Sequence, residues 1–115
     1  MVAVEDIARI AFTADRELQL VTQDPDPCPP WDEAEPSVRQ VTICGVRHIQ
    51  EGYSPQEQHQ MWRDLREEHG WKHGPVKDEN AKTDPLLVPY SKLHPRLRLR
   101  NDLFGAIVTV LSREA

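Results

Sequence analysis

Between residues 4 and 21, apolar side chains recur at intervals of three and four: Ile7, Ile10, Ala11, Ala14, Leu18 and Val21. Glu5, Asp6, Arg9, Asp15 and Arg16 fill the gaps, so the segment predicts an amphipathic helix with one buried stripe. Asp24-Pro25-Asp26-Pro27 ends it, because a residue before proline is pushed out of the helical region, and Pro29-Pro30-Trp31 continues as an extended loop. Trp31 is too large to leave in water and is expected to pin that loop to the body of the protein.

Residues 37–50 carry a second helical period, with Ser37 as its cap and Val38, Val41, Cys44 and Ile49 pointing inward. Val41, Thr42, Ile43 and Val46 are β-branched, which leaves a strand reading open. Gly52-Tyr53 breaks the element. Ser54-Pro55-Gln56-Glu57 then places a hydroxyl at an N-cap, proline at the first helical position and glutamate at the third. That is a capping box, and it predicts a helix whose inner face holds Met61, Trp62 and Leu65 and which stops at Gly70. Beyond it, prolines at 75, 85 and 89 forbid helix, so short antiparallel strands are expected in the Gly70–Tyr90 region, joined by a polar loop at 78–83. A last helix is expected from Pro95 to Arg113, burying Leu97, Leu103, Phe104, Ile107, Val108, Val110 and Leu111. The expected fold class is α+β: mainly helical, about four helices with short strands.

At 115 residues the chain supports one domain over 1–115, here divided into an N-terminal helical leader, 1–53, and a core, 54–113. No run approaches the ~20 apolar residues of a spanning helix, so no membrane is expected as a partner. Acids follow Met1 where an export signal would carry bases, so Cys28 and Cys44 are expected as reduced thiols in the cytoplasm. A net charge of −5 argues against nucleic acid as the main partner. The charge is unevenly spread, however. Nine acids against two bases fall in residues 1–36, and seven bases against three acids in residues 71–100. Such a chain either steers a small anion to a local site or lets its halves complement one another.

Catalytic and metal chemistry find little support. There is no nucleophile elbow, phosphate-binding loop or H-E-x-x-H helix, and Glu67 and Glu68 are adjacent, so their side chains diverge by ~100°. The helix that would align His69 with His73 is broken by Gly70 and Trp71, and the cysteines lack C-x-x-C spacing. The expectation is a non-enzyme with no cofactor, no metal and no catalytic residues.

Three separate blocks carry a resemblance. His59-Gln60-Met61-Trp62 is followed by Gly70-Trp71-Lys72-His73-Gly74-Pro75-Val76-Lys77-Asp78, and then by Lys82-Thr83-Asp84-Pro85-Leu86-Leu87-Val88-Pro89-Tyr90 with Leu93. In order and spacing these resemble the ryanodine-receptor repeat family, whose pattern reads H-x-x-W, G-W-x-x-G-x-x-[KR]-D, then K-x-H-P-x-L-V-P-Y-x-x-L and a closing helix. The match covers residues 54–111, and the N-terminal half is similar to the leader of stand-alone bacterial and phage members. The resemblance implies paired helices beside short strands, repeats that pack as a pseudo-twofold pair, and an adenine nucleotide held between them. It also implies a set of ligand-binding residues. Trp62 would stack on a purine and Arg66, one turn on, would reach a phosphate; Lys77 and Lys82 would add positive charge, and Asp84 would sit near the base or sugar. His59 and Tyr90, from the outer blocks, complete the set, although Tyr90 reads first as a packing residue with a satisfied hydroxyl. Asp84 departs from the histidine or asparagine common in the family. There it would repel a phosphate, or accept hydrogen bonds from a base or ribose. Trp71, just past the helix stop, reads as an anchor for the turn.

The implied function is a non-enzymatic sensor or sponge for a small anionic, nucleotide-like ligand, working as a homodimer because one repeat carries half of a paired site. The alternative is a protein–protein adaptor or assembly subunit with no small-molecule ligand, docking through its acidic half. A nucleotide hydrolase is a third, weaker reading.

Overall fold

Glycine, proline and small polar side chains divide the chain into four helices, and the divisions follow local chemistry. The computed structural model describes residues 2–113. It places α1 at Val4–Val21, α2 at Pro36–Gln50, α3 at Pro55–Glu68 and α4 at Pro95–Arg113, with short 3-10 turns at Trp31–Glu33 and Tyr90–Lys92. No helix among the described residues is long and apolar enough to cross a membrane.

The first three helices close in the same way. The N–H of Asp24, Tyr53 and Trp71 each donates to a carbonyl five residues back, on Gln19, His48 and Arg66. The residue before each (Gln23, Gly52, Gly70) has positive φ, +59°, +102° and +85°. These are Schellman ends, which satisfy carbonyls that would otherwise lack partners and fold the chain back over its own last turn. Glycine adopts that conformation without steric cost at two of the three. At its start, α3 has the expected capping box: Ser54 Oγ accepts from the Glu57 N–H at 3.1 Å and Glu57 Oε1 accepts from the Ser54 N–H at 3.2 Å.

The second segment is a helix, not a strand. Its cap residue is Glu35 rather than Ser37, with Pro36 at the first turn, where a missing N–H costs nothing. The inward face also differs from the expected one. Val46 is fully buried and Ile43 and Ile49 pack beside it, whereas Val38 and Cys44 are exposed and Val41 is 72% exposed. In α1 the buried residues are Ile7, Ala8, Ala11, Phe12 and Gln19, while Ile10 and Val21 face outward. In α4, Val108 is buried with Phe104, Ile107 and Leu111 packed against the core, and Val110 is exposed. Each helix meets two partners rather than one surface, which rotates its buried stripe away from the face suggested by hydropathy alone.

The core lies where α1, α2 and α4 meet, closed by Trp31 and Ala34. Trp31 behaves as expected: its ring meets Phe12 edge to face with centroids 5.4 Å apart. Buried Gln19 fastens the loop beneath it, donating to Asp24 and accepting from the Cys28 N–H, while Arg16 donates to the Cys28 carbonyl. Both cysteines are unbridged. By contrast, α3 contributes no buried residue and rests on the edge of this assembly.

The antiparallel strands expected between Gly70 and Tyr90 are absent. Among the described residues that segment holds only isolated bridges, a parallel one between Lys72 and Thr83 and an antiparallel one between Asp78 and Thr83. Pro75, Pro85 and Pro89 lack donors for a ladder, and the Asp78 carboxylate takes the N–H groups of Asn80 and Ala81 into a tight turn. The segment is an irregular loop held close: a Cβ on Gly74 would lie 2.6 Å from Thr83 Cβ. The fold is therefore mainly helical, with four helices and no sheet among the described residues.

Candidate functional site

The capping box and the Schellman end fix both limits of α3, and with them the register of its side chains. His59, Trp62 and Arg66 lie three and four residues apart and so share one face. The His59 and Trp62 rings are tilted by 30° with centroids 5.6 Å apart. The Arg66 guanidinium carbon sits 5.7 Å from the Trp62 ring centroid and 4.8 Å from that of Trp71. Trp71 arrives there because of the helix end: the Schellman turn brings the residue after Gly70 back over Arg66, where a hydrophobic pair usually meets. Here that contact is cation on aromatic ring. Among the described residues Arg66 makes no side-chain hydrogen bond and no ion pair, whereas Arg9, Arg16 and Arg100 are each paired with an acid.

From the other side, the 3-10 turn at 90–92 delivers Tyr90, whose ring stands at 60° to that of His59 with centroids 5.8 Å apart. The nitrogen Nε2 of His59 is 2.8 Å from the Val88 carbonyl, an oxygen that only accepts, so Nε2 is assigned the proton. Tyr90 donates its hydroxyl to Asp102 Oδ1 at 2.9 Å, with the Arg98 carbonyl a weaker acceptor at 3.3 Å. Burial, reinforced by the bond to Asp102 and by that carboxylate's charge, pushes the Tyr90 phenol up to about 12 from 10. A raised pKa on an acid favours the protonated fold, so this contribution is complete below pH 10 and is lost as pH rises through about 12. An ultraviolet phenolate titration should show Tyr90 ionising at about pH 12, with unfolding stability falling across that interval. A phenolate formed near pH 10 by Tyr90 would contradict the assignment.

The remaining expected residues lie in the loop after α3, where two of them make local hydrogen bonds. The amine of Lys82 donates to the His69 carbonyl at 2.8 Å, capping the negative end of α3, and its backbone is held at φ +56°. Asp84 is 4% exposed and its Oδ1 accepts from the Leu86 N–H at 2.8 Å, so it shapes the turn into Pro85-Leu86. Lys77 is exposed. The structure thus brings His59, Trp62, Arg66 and Tyr90 into one contiguous stack, and leaves Lys77, Lys82 and Asp84 in the neighbouring loop.

A groove of about 270 Å³ opens beside the stack, lined by His59, Trp62, Leu86, Leu93, Leu97, Arg100 and Asn101. Two larger hollows, of about 510 and 580 Å³, lie around Ser54–Gln60 and along α4 at Gly105–Arg113. Volume favours those two, but neither reaches Trp62, and chemistry favours the smaller one. Sequence reasoning missed Trp71 as part of the stack, although a tryptophan directly after a helix-stopping glycine was a usable signal. It also missed Arg100. That residue binds Asp15 of α1 through two bonds, Nε to Oδ1 at 2.8 Å and Nη2 to Oδ2 at 2.9 Å. This bond raises the Arg100 pKa further against the opposing effect of burial. At this one contact an acid of the first half is paired with a base of the second inside the fold.

The family model described as RyR domain matches residues 40–104, more than half of the chain. Its span takes in most of α2, all of α3, the irregular loop and the first half of α4, and so includes the whole stack. No solved structure matches the chain.

Proposed function

We propose, given that this chain belongs to the RyR domain family, that it is a non-enzymatic binding module for a small anionic ligand of nucleotide type. An adenine nucleotide, an ADP-ribose-like compound or a cyclic nucleotide fits the reading, with the protein acting as a sensor or sponge in the cytoplasm of a bacterium or phage-infected cell. The single observation that carries it is Arg66, stacked on Trp62 and Trp71 with no carboxylate partner among the described residues. A guanidinium resting near two aromatic rings without an acid partner keeps N–H donors for a phosphate, and part of its side-chain freedom has already been lost in the free protein. The adjoining groove offers an aromatic wall and apolar side chains for a base.

At about 270 Å³ the groove falls short of the ~300–1,000 Å³ usual for ligand sites, which supports a paired site completed by a second copy. The proposed assembly is a homodimer with the ligand near its twofold axis.

Isothermal titration against ATP, ADP, AMP, ADP-ribose and cyclic dinucleotides tests the reading. Binding tighter than millimolar is expected for at least one, weakened by salt, with Arg66→Gln lowering nucleotide affinity about tenfold while nearly sparing adenosine. Absence of binding across the panel would favour the second reading, a protein–protein adaptor. That reading is supported by Val41 and Leu65, which are exposed on α2 and α3 and covered by no element among the described residues.

A further inference from the structure

The groove is lined by one arginine, Arg100, which differs from Arg66 beside it in its charge balance. Arg100 is locked in a two-bond fork to Asp15, and both side chains are largely shielded, at 26% and 21% exposure. A guanidinium has five N–H donors, and this fork uses two of them. Nη1 has no partner among the described residues, so donors remain, but the positive charge is compensated on the spot. A phosphate brought to Arg100 would lie against the Asp15 carboxylate in a poorly screened setting, whereas an uncharged acceptor would meet only donors. Asn101, exposed on the next position of α4, adds an amide that both donates and accepts.

We propose that the Asp15–Arg100 pair makes its end of the groove a reader of uncharged polar edges, a ring edge or a hydroxyl. The ligand is thereby oriented with its anionic end on Arg66. Arg100 is the contacting residue and Asp15 a positioning residue that cancels its charge. The inference rests on the reading of the groove as a ligand site. It also gives α1, which lies outside the matched span 40–104, a part in specificity.

Adenosine, AMP and ADP titrated into the wild type and three variants provide the test. Arg100→Gln is expected to weaken adenosine about fivefold, the effect of one lost neutral contact, and ADP by at least that factor because Asp15 is left uncompensated. Asp15→Asn leaves Arg100 uncompensated and is expected to raise the affinity for ADP over adenosine by about threefold or more. Asp15→Glu keeps the carboxylate and should keep the wild-type ratio. Arg100→Gln weakening ADP while sparing adenosine would overturn the proposal, as would Asp15→Asn shifting both ligands equally. If Asp15→Asn fails to fold, the Arg100→Gln comparison decides alone. A second readout needs no nucleotide: iodide against acrylamide quenching of Trp62, taken as the difference from Trp62→Phe. Asp15→Asn should increase iodide quenching relative to acrylamide, and an unchanged ratio sinks the proposal. A raised ratio in a protein whose wild type binds none of these nucleosides counts against the nucleotide reading alone.

Discussion

Replacing Ile7 by alanine is expected to destabilise the whole protein by about 2–5 kcal/mol, the usual cost of emptying a fully buried aliphatic site. The melting midpoint should fall by roughly 10 °C or more for a chain of this size. Ile7 is 0% exposed and packs in the cluster that joins α1 to α2 and α4. The N-terminal segment is therefore not an appendage to residues 54–113. Its first helix, α1, alone provides four of the buried core side chains, Ile7, Ala8, Ala11 and Phe12, while α3 provides none. Unfolding followed by tryptophan fluorescence and by far-ultraviolet circular dichroism should give coincident single transitions, both shifted by the substitution. A midpoint that barely moves, or a second transition left in place, would show that the α3 region folds independently of this core.

Trp62→Ala should lower affinity for an adenine nucleotide by about 5- to 150-fold, corresponding to the ~1–3 kcal/mol of a stacked base. The range is wide because the ring has three neighbours. It is the wall of the groove, the platform on which Arg66 lies and the companion of His59. Removing it leaves Arg66 still resting on Trp71, so some affinity for the phosphates should persist and the loss should be proportionally greatest for adenosine. Trp62→Phe retains an aromatic face and should give an intermediate value. The stability cost should be smaller than for Ile7→Ala, since Trp62 is half-buried and lies outside the main core. Unchanged nucleotide binding in Trp62→Ala would move the site away from this helix face.

Features that depend on neighbours within about one turn are legible in the amino-acid order. The Ser54–Glu57 capping box and the stop at Gly70 bound α3 where their chemistry places them, because each bond spans three to five residues. Trp31 can be assigned to packing from its size alone. His59, Trp62 and Arg66 fall on one face by their spacing, and the three motif blocks are enough to identify the family. Strands in the 70–90 segment are the wrong inference from a right observation. Prolines exclude helix, but the same prolines remove the donors that a sheet needs, and Asp78 offers the backbone a nearer partner.

The remaining features are set by tertiary packing, and distance along the chain is the reason. Hydropathy gives each helix a stripe, but which edge of that stripe is buried depends on the crossing of α1, α2 and α4. Val41 thus faces out while Val46 is sealed in. Lys82 is a free cation by sequence, yet the loop returns its amine to the His69 carbonyl. The Arg66–Trp71 contact depends on the direction in which the Schellman turn leaves the helix, and Arg100 meets Asp15 across 85 residues of sequence. No periodicity or spacing encodes a contact of that range. Helix ends, family membership and the aromatic–basic face of α3 are thus written in local sequence. Packing of α1 against α4 brings Asp15 to Arg100 and so cancels the charge of the arginine that lines the groove.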